Sequence, residues 1–91
     1  MAEAGYLVTG RVQGVGFRWW TRSQATRLGL SGSVRNRPDG SVEVHARGAD
    51  DRLHALRTLL EDGPPGARVE RVELLPFSPD GVHDGEFHIR R

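Results

Sequence analysis

The sequence predicts an α+β fold, one domain over residues 1–91 in which two helices lie on one face of an antiparallel sheet. Short runs of alternating apolar residues specify strands, two longer stretches repeat their apolar residues at helical spacing, and glycine or proline breaks stand between them. Chain length supports the same architecture. A chain of 91 residues hides about 60–65 % of its unfolded surface, enough for one thin core with helices against a single sheet face.

Tyr6, Val8 and Val12 fall on one face of the first alternating run, with Gly10 between them and Thr9 and Arg11 on the other face. This is the pattern of a half-buried strand. Gln13-Gly14-Val15-Gly16 breaks the alternation, after which Phe17, Trp20, Ala25 and Leu28 recur at helical spacing up to a stop at Gly29. Two strands follow, Ser31 to Arg37 and Ser41 to Arg47, joined through Pro38-Asp39-Gly40, a hairpin turn. Asp50 or Asp51 is placed to cap a second helix whose stripe is Leu53, Leu56, Leu59 and Leu60, and which ends before Gly63-Pro64-Pro65-Gly66. Val69 to Leu75 reads as a strand with Val72 and Leu74 inward, and Glu86 to Arg90 as a short tail strand carrying Phe87 and Ile89. Right-handed crossovers leave few arrangements of this β-α-β-β-α-β order plus a C-terminal strand, and the ferredoxin-like sandwich is the common one.

Composition narrows the function. There is no cysteine, so neither a disulfide framework nor a cysteine-based zinc site is available. Met1 to Tyr6 lacks the basic stretch and apolar run of a signal peptide, and no segment approaches the ~20 apolar residues of a membrane span. The expectation is a cytoplasmic protein without membrane contact. Thirteen basic residues, every one an arginine, nearly balance twelve acidic ones, which argues against a dedicated nucleic-acid binder. Trp19 and Trp20 do not make a base-stacking platform, because adjacent helical residues point about 100° apart and Trp20 belongs to the apolar stripe with Phe17. His83, Asp84, Glu86 and His88 fit no established zinc spacing, and no metal site is expected. His45, facing away from the core between Glu43 and Arg47, is expected at the surface, as are His54, His83 and His88.

The break at Gln13-Gly14-Val15-Gly16-Phe17-Arg18 carries the chemistry. A glycine-rich turn from strand to helix gathers unpaired backbone N–H groups around one concavity, and the helix dipole adds roughly half a positive charge there. Arg18, in the first turn, can fold back and offer two parallel donors to an anion. Trp19 stands where a dinucleotide fingerprint needs its third glycine, and no Gly-Lys-Ser/Thr follows as in a Walker loop. A glycine turn of this kind is often only a tight turn.

Two blocks raise the signal above that. Gly10-Arg11-Val12-Gln13-Gly14-Val15-Gly16-Phe17-Arg18 resembles the signature loop of the acylphosphatase family, and Gly32-Ser33-Val34-Arg35-Asn36-Arg37-Pro38-Asp39-Gly40-Ser41-Val42-Glu43 resembles its second conserved block. The similarity extends through Ala25 and Leu28-Gly29-Leu30 to Phe87-His88-Ile89-Arg90. The resemblance implies hydrolysis of a carboxyl–phosphate anhydride to a carboxylate and inorganic phosphate, with a small acyl phosphate as partner and no metal or other cofactor, while the small size and ordinary charge of the chain lead to the expectation of a monomer. By the same resemblance the phosphate is held by Gln13, Gly14, Val15, Gly16, Phe17 and Arg18, and the catalytic pair is Arg18 and Asn36. Read without the family, Asn36 is a turn-entry residue whose side chain bonds local backbone. Two departures stand out. Ser33 occupies a position where many members carry tryptophan, with consequences expected for packing beneath the site or helix, and Arg91 ends the chain where tyrosine is frequent, affecting a terminal contact.

Two other functions suit the fold. The domain type also resembles the N-terminal module of hydrogenase-maturation carbamoyltransferases, which acts on carbamoyl phosphate. A non-catalytic module binding phosphate or RNA is the second, weakened because no strand carries the aromatic-rich motif of an RNA-recognition sheet.

Overall fold

The elements form in the expected order in the computed structural model, which describes residues Met1–Arg91. Strand β1 (Ala2–Arg11) is followed by helix α1 (Phe17–Arg27), strands β2 (Ser31–Asn36) and β3 (Val42–Gly48), helix α2 (Asp50–Asp62), and strands β4 (Arg68–Leu75) and β5 (Phe87–Arg90). The sheet runs β4-β1-β3-β2-β5. Its first four strands are antiparallel neighbours, the ferredoxin-like order, whereas β5 lies parallel to β2. The sheet is therefore mixed, not purely antiparallel. β4 at one edge ends at the side of the sheet where β2 begins, and the chain crosses to the far edge before β5 starts, so β5 runs in the direction of β2.

Both helices pack on one face over Tyr6, Val8, Val12, Val34, Val42, Val44 and Ala46, all buried. Buried Leu53, Leu56 and Leu60 anchor α2, while Leu59 stays half-buried. Phe17 and Ala25 anchor α1 together with Thr21, fully buried although polar and so absent from an apolar count. α1 ends as anticipated at Gly29. The Gly29 N–H donates to the Thr26 carbonyl and the Leu30 N–H to that of Ala25, each at 3.0 Å, the double bond of a Schellman motif. At α2 the expected cap is displaced, because Ala49 is the N-cap and Asp50 and Asp51 lie within the first turn without capping by a side chain.

β4 follows the expected face but not the expected burial. Tyr6 pairs with Leu74 and Val8 with Val72, and a bulge between Thr9 and Gly10 brings Val69 opposite Gly10. Val69 and Val72 are half-buried, but Leu74 is 65 % exposed, bordering an open hollow with Leu53, His54 and Arg57 of α2.

The face without helices holds the main departure. His45 is only 3 % exposed because the chain between β4 and β5 crosses above it. Its Nε2 lies 2.6 Å from Glu43 Oε2, its Nδ1 accepts the Ser78 N–H at 3.1 Å, and Phe77 meets its ring edge-on at 5.8 Å. Alternation correctly turned His45 from the helices, but the covering segment is contributed by residues more than thirty positions away. Burial alone would push the Glu43 carboxyl up, yet the His45 hydrogen bond and the Arg35 guanidinium outweigh it and hold the carboxyl below its ordinary range. Ser33 pairs with His45 on this face, so its replacement of a larger side chain affects packing away from the helices and not beneath them. Arg91 is exposed beyond β5. His83 and His88 meet edge-on at 5.0 Å. No helix is long and apolar enough to cross a membrane.

Candidate active site

The site grows from the turn between β1 and α1. Val12 enters the core with no exposure, and the chain must then reverse into a helix within four residues. Gly14 and Gly16 both take φ of 76°, and an added Cβ at either would meet nothing within 4 Å. It is therefore the left-handed backbone, not lack of space, that demands glycine at these positions. Alternating the hand of successive residues turns their amides toward one concavity. No protein acceptor takes the N–H groups of Gly14, Val15, Gly16, Phe17, Arg18 or Trp19, the first helical bond being Trp20 N–H to the Gly16 carbonyl at 3.0 Å. No side chain caps this helix and no acid lies in its first turn.

The concavity is a cleft of about 250 Å³ lined by Val12, Gln13, Gly14, Gly16, Phe17, Arg18, Trp19 and Asn36. Of the residues anticipated from the sequence it gathers Gln13, Gly14, Gly16, Phe17, Arg18 and Asn36. Val15 is half-buried against the core and does not line the cleft. Arg18 makes no ion pair and neither Arg18 nor Asn36 a side-chain hydrogen bond, unlike Arg35 and Arg47, which are paired with carboxylates at 3.0 and 2.8 Å. Asn36 arrives from the end of β2, opposite Val42 of β3. Its side chain does not bond the local turn; that work belongs to Asp39, whose Oδ1 accepts the Ser41 N–H at 3.0 Å and the Ser41 hydroxyl at 2.5 Å. These bonds hold the Asp39 carboxyl below its usual range.

Gln13 lines the cleft, and its side chain is also bound within the protein. Its Nε2 donates to the carbonyls of Arg37 at 2.7 Å and Ser41 at 2.9 Å, which ties the glycine loop to the β2–β3 hairpin. The side chain thus sets the distance between the loop amides and Asn36. No sequence signal distinguishes this from a contact to ligand, because the two carbonyls lie more than twenty residues away. Trp19 was also missed as a wall of the cleft. It is 64 % exposed, while Trp20 tucks against Phe17 with ring centroids 5.4 Å apart.

The glycine loop and Asn36 both lie inside one family match, since the sequence profile described as Acylphosphatase covers residues 4–89. The chain belongs to the acylphosphatase family. It is 55 % identical over 75 residues to the Acylphosphatase of Koribacter versatilis, covering 82 % of this chain and 68 % of that one. It is 54 % identical over 85 residues to the Acylphosphatase of Nitratidesulfovibrio vulgaris, covering 93 % and 82 %. The crystal structure of acylphosphatase from Bacillus subtilis superposes with a TM-score of 0.89 at 35 % identity over the whole of both chains. As an acylphosphatase-family chain, this protein keeps its helix-side core and its glycine loop within the matched residues.

Proposed function

We propose that this protein hydrolyses acyl phosphates, with the phosphate seated in the loop of residues 13–18 and the attacking water positioned by Asn36. The observation that carries the reading is the unpaired amides of Gly14, Gly16, Phe17, Arg18 and Trp19 sharing one cleft with an unpaired guanidinium and an unpaired carboxamide. An unsatisfied N–H at a helix start attracts negative charge, and a dianionic phosphoryl group answers all of these donors together.

The chemistry asks for little more. The leaving group is a carboxylate, which departs as an anion without a general acid. The loose, metaphosphate-like transition state needs alignment and charge stabilisation, which fixed amides and Arg18 supply without reorganising. Water attacks phosphorus opposite the acyl oxygen, the new P–O bond forms as the P–O bond to the acyl group breaks, and the products are a carboxylate and inorganic phosphate. The Asn36 amide oxygen accepts a hydrogen bond from the water and aims it. Asparagine is no base at neutral pH, so the water's proton passes to an oxygen of the transferring phosphoryl group. Few large apolar side chains are exposed, Met1, Trp19 and Leu74, which supports a monomer.

Arg18→Gln tests the assignment. Hydrolysis of a small acyl phosphate should fall by on the order of 10² to 10³, the effect of removing one preorganised electrostatic anchor, with an unfolding midpoint that does not fall. Near-normal turnover would remove Arg18 from the mechanism.

A further inference from the structure

Between Glu3 and Asp39 the chain contains no acidic residue and six arginines. Three of them, Arg18, Arg22 and Arg27, lie on α1, and none of the three forms an ion pair, although other arginines of the protein do. Arg18 and Arg22 are separated by one helical turn, so their side chains rise from neighbouring positions on the same face, about 6 Å apart along the axis. Like charges at this spacing weaken a helix unless something negative lies between or above them.

The space above them is shaped. A second hollow of about 340 Å³, lined by Trp19, Arg22, Ser23, Thr26 and Arg27, shares Trp19 with the cleft that holds Arg18. The exposed Trp19 thus borders both hollows. Arg22 is held in place by its own contacts, its Nε donating to the Phe87 carbonyl at 3.3 Å and its guanidinium carbon lying 5.7 Å from the Trp19 ring centre. These leave its terminal nitrogens free. Glu86, which lines the next hollow beyond Arg22, pairs with His88 at 3.3 Å instead.

We infer that this second hollow receives the far end of the substrate's acyl group and selects acyl phosphates that carry a second carboxylate. The inference rests on the reading of the 13–18 loop as the phosphate site. With phosphate at Arg18, a short methylene spacer lies along the apolar face of Trp19 and brings a terminal carboxylate to Arg22, one helical turn away. Arg22 is then a specificity-determining residue, since the second carboxylate is remote from the bond that breaks.

Glutaryl phosphate and pentanoyl phosphate test this, because their acyl groups match in carbon count and differ in the terminal carboxylate. At low salt the ratio of their kcat/KM values should favour glutaryl phosphate about ten-fold, the scale of one charge-assisted contact. Arg22→Gln should bring the ratio close to one, Arg22→Lys should keep part of it, and added salt should shrink it. Arg71→Gln removes the same charge from β4 and should leave the ratio intact. Hydrolysis of both compounds at a ratio near one, or a preference that survives Arg22→Gln, overturns the second site while leaving the phosphate loop standing. Hydrolysis of neither compound overturns the phosphatase reading and this inference together.

Discussion

The two helices begin in opposite ways. α2 opens on Ala49 in extended geometry and places Asp50 and Asp51 in its first turn, so its own side chains answer the positive end of its dipole. α1 opens on a left-handed glycine, has neither cap nor acid, and puts Arg18 where α2 has carboxylates. The first start is finished within the chain. The second is unfinished, and stacks a positive charge on a positive dipole end. Neither helix has a side-chain cap, but only the one away from the cleft has acids in its first turn, and under the proposed function the difference marks where a bound anion would complete the structure.

The comparison can be broken at its centre by giving α1 the chemistry of α2. Arg18→Glu places an acid in the first turn, which should stabilise the helix by about 0.3–1 kcal/mol while lowering acyl phosphate hydrolysis by on the order of 10³ or more. Thermal unfolding and turnover measured on one preparation would show the two effects moving in opposite directions. A variant that kept its activity would show that α1's open start has nothing to do with catalysis.

Asn36→Ala probes the facing wall. Turnover should drop by on the order of 10², as for a misplaced nucleophile, while stability changes by less than about 0.5 kcal/mol because the side chain bonds nothing in the protein. A turn role would give the reverse, with stability lost and turnover per folded molecule retained.

Gln13→Met sharpens the contrast between a residue at the site and a residue that holds the site together. It keeps bulk but releases the Arg37 and Ser41 carbonyls, so stability should fall by about 1 kcal/mol. The rate should fall about ten-fold through kcat more than KM, since the amides that grip phosphate remain while Asn36 shifts. A change confined to KM would place the Gln13 side chain on the ligand.

The smallest effect belongs to α2. Asp50→Asn with Asp51→Asn should lower stability by about 0.3–1 kcal/mol at low ionic strength and less at high salt, leaving hydrolysis untouched. Chemical unfolding at two salt concentrations would measure it, and a loss of activity would contradict the division of labour between the two helices.

Much of this was legible in the chain because the signals were local. Gly14 and Gly16 announce a left-handed turn, Arg18 follows them by fixed spacing, and Gly29 ends α1 where the apolar stripe stops. Asn36 was legible only through resemblance, since asparagine before Pro-Asp-Gly reads equally as turn chemistry. The Gln13 tie and the Trp19 wall were not legible, because each depends on which side chain faces which neighbour across the fold. His45 shows the same limit from the other side, its outward direction correct by alternation and its burial hidden until Phe77 and Ser78 cross above it.

By itself the amino-acid order determined the elements, their sequence along the chain and the position of the glycine turn before α1, because backbone torsions and apolar periodicity act over a few residues. Only the tertiary structure decided that β5 runs parallel to β2, that the face without helices is covered, and that a glutamine amide clamps hairpin to loop. Those outcomes follow from segments distant in sequence competing for the same surface and the same unpaired carbonyls, and no local pattern records who wins.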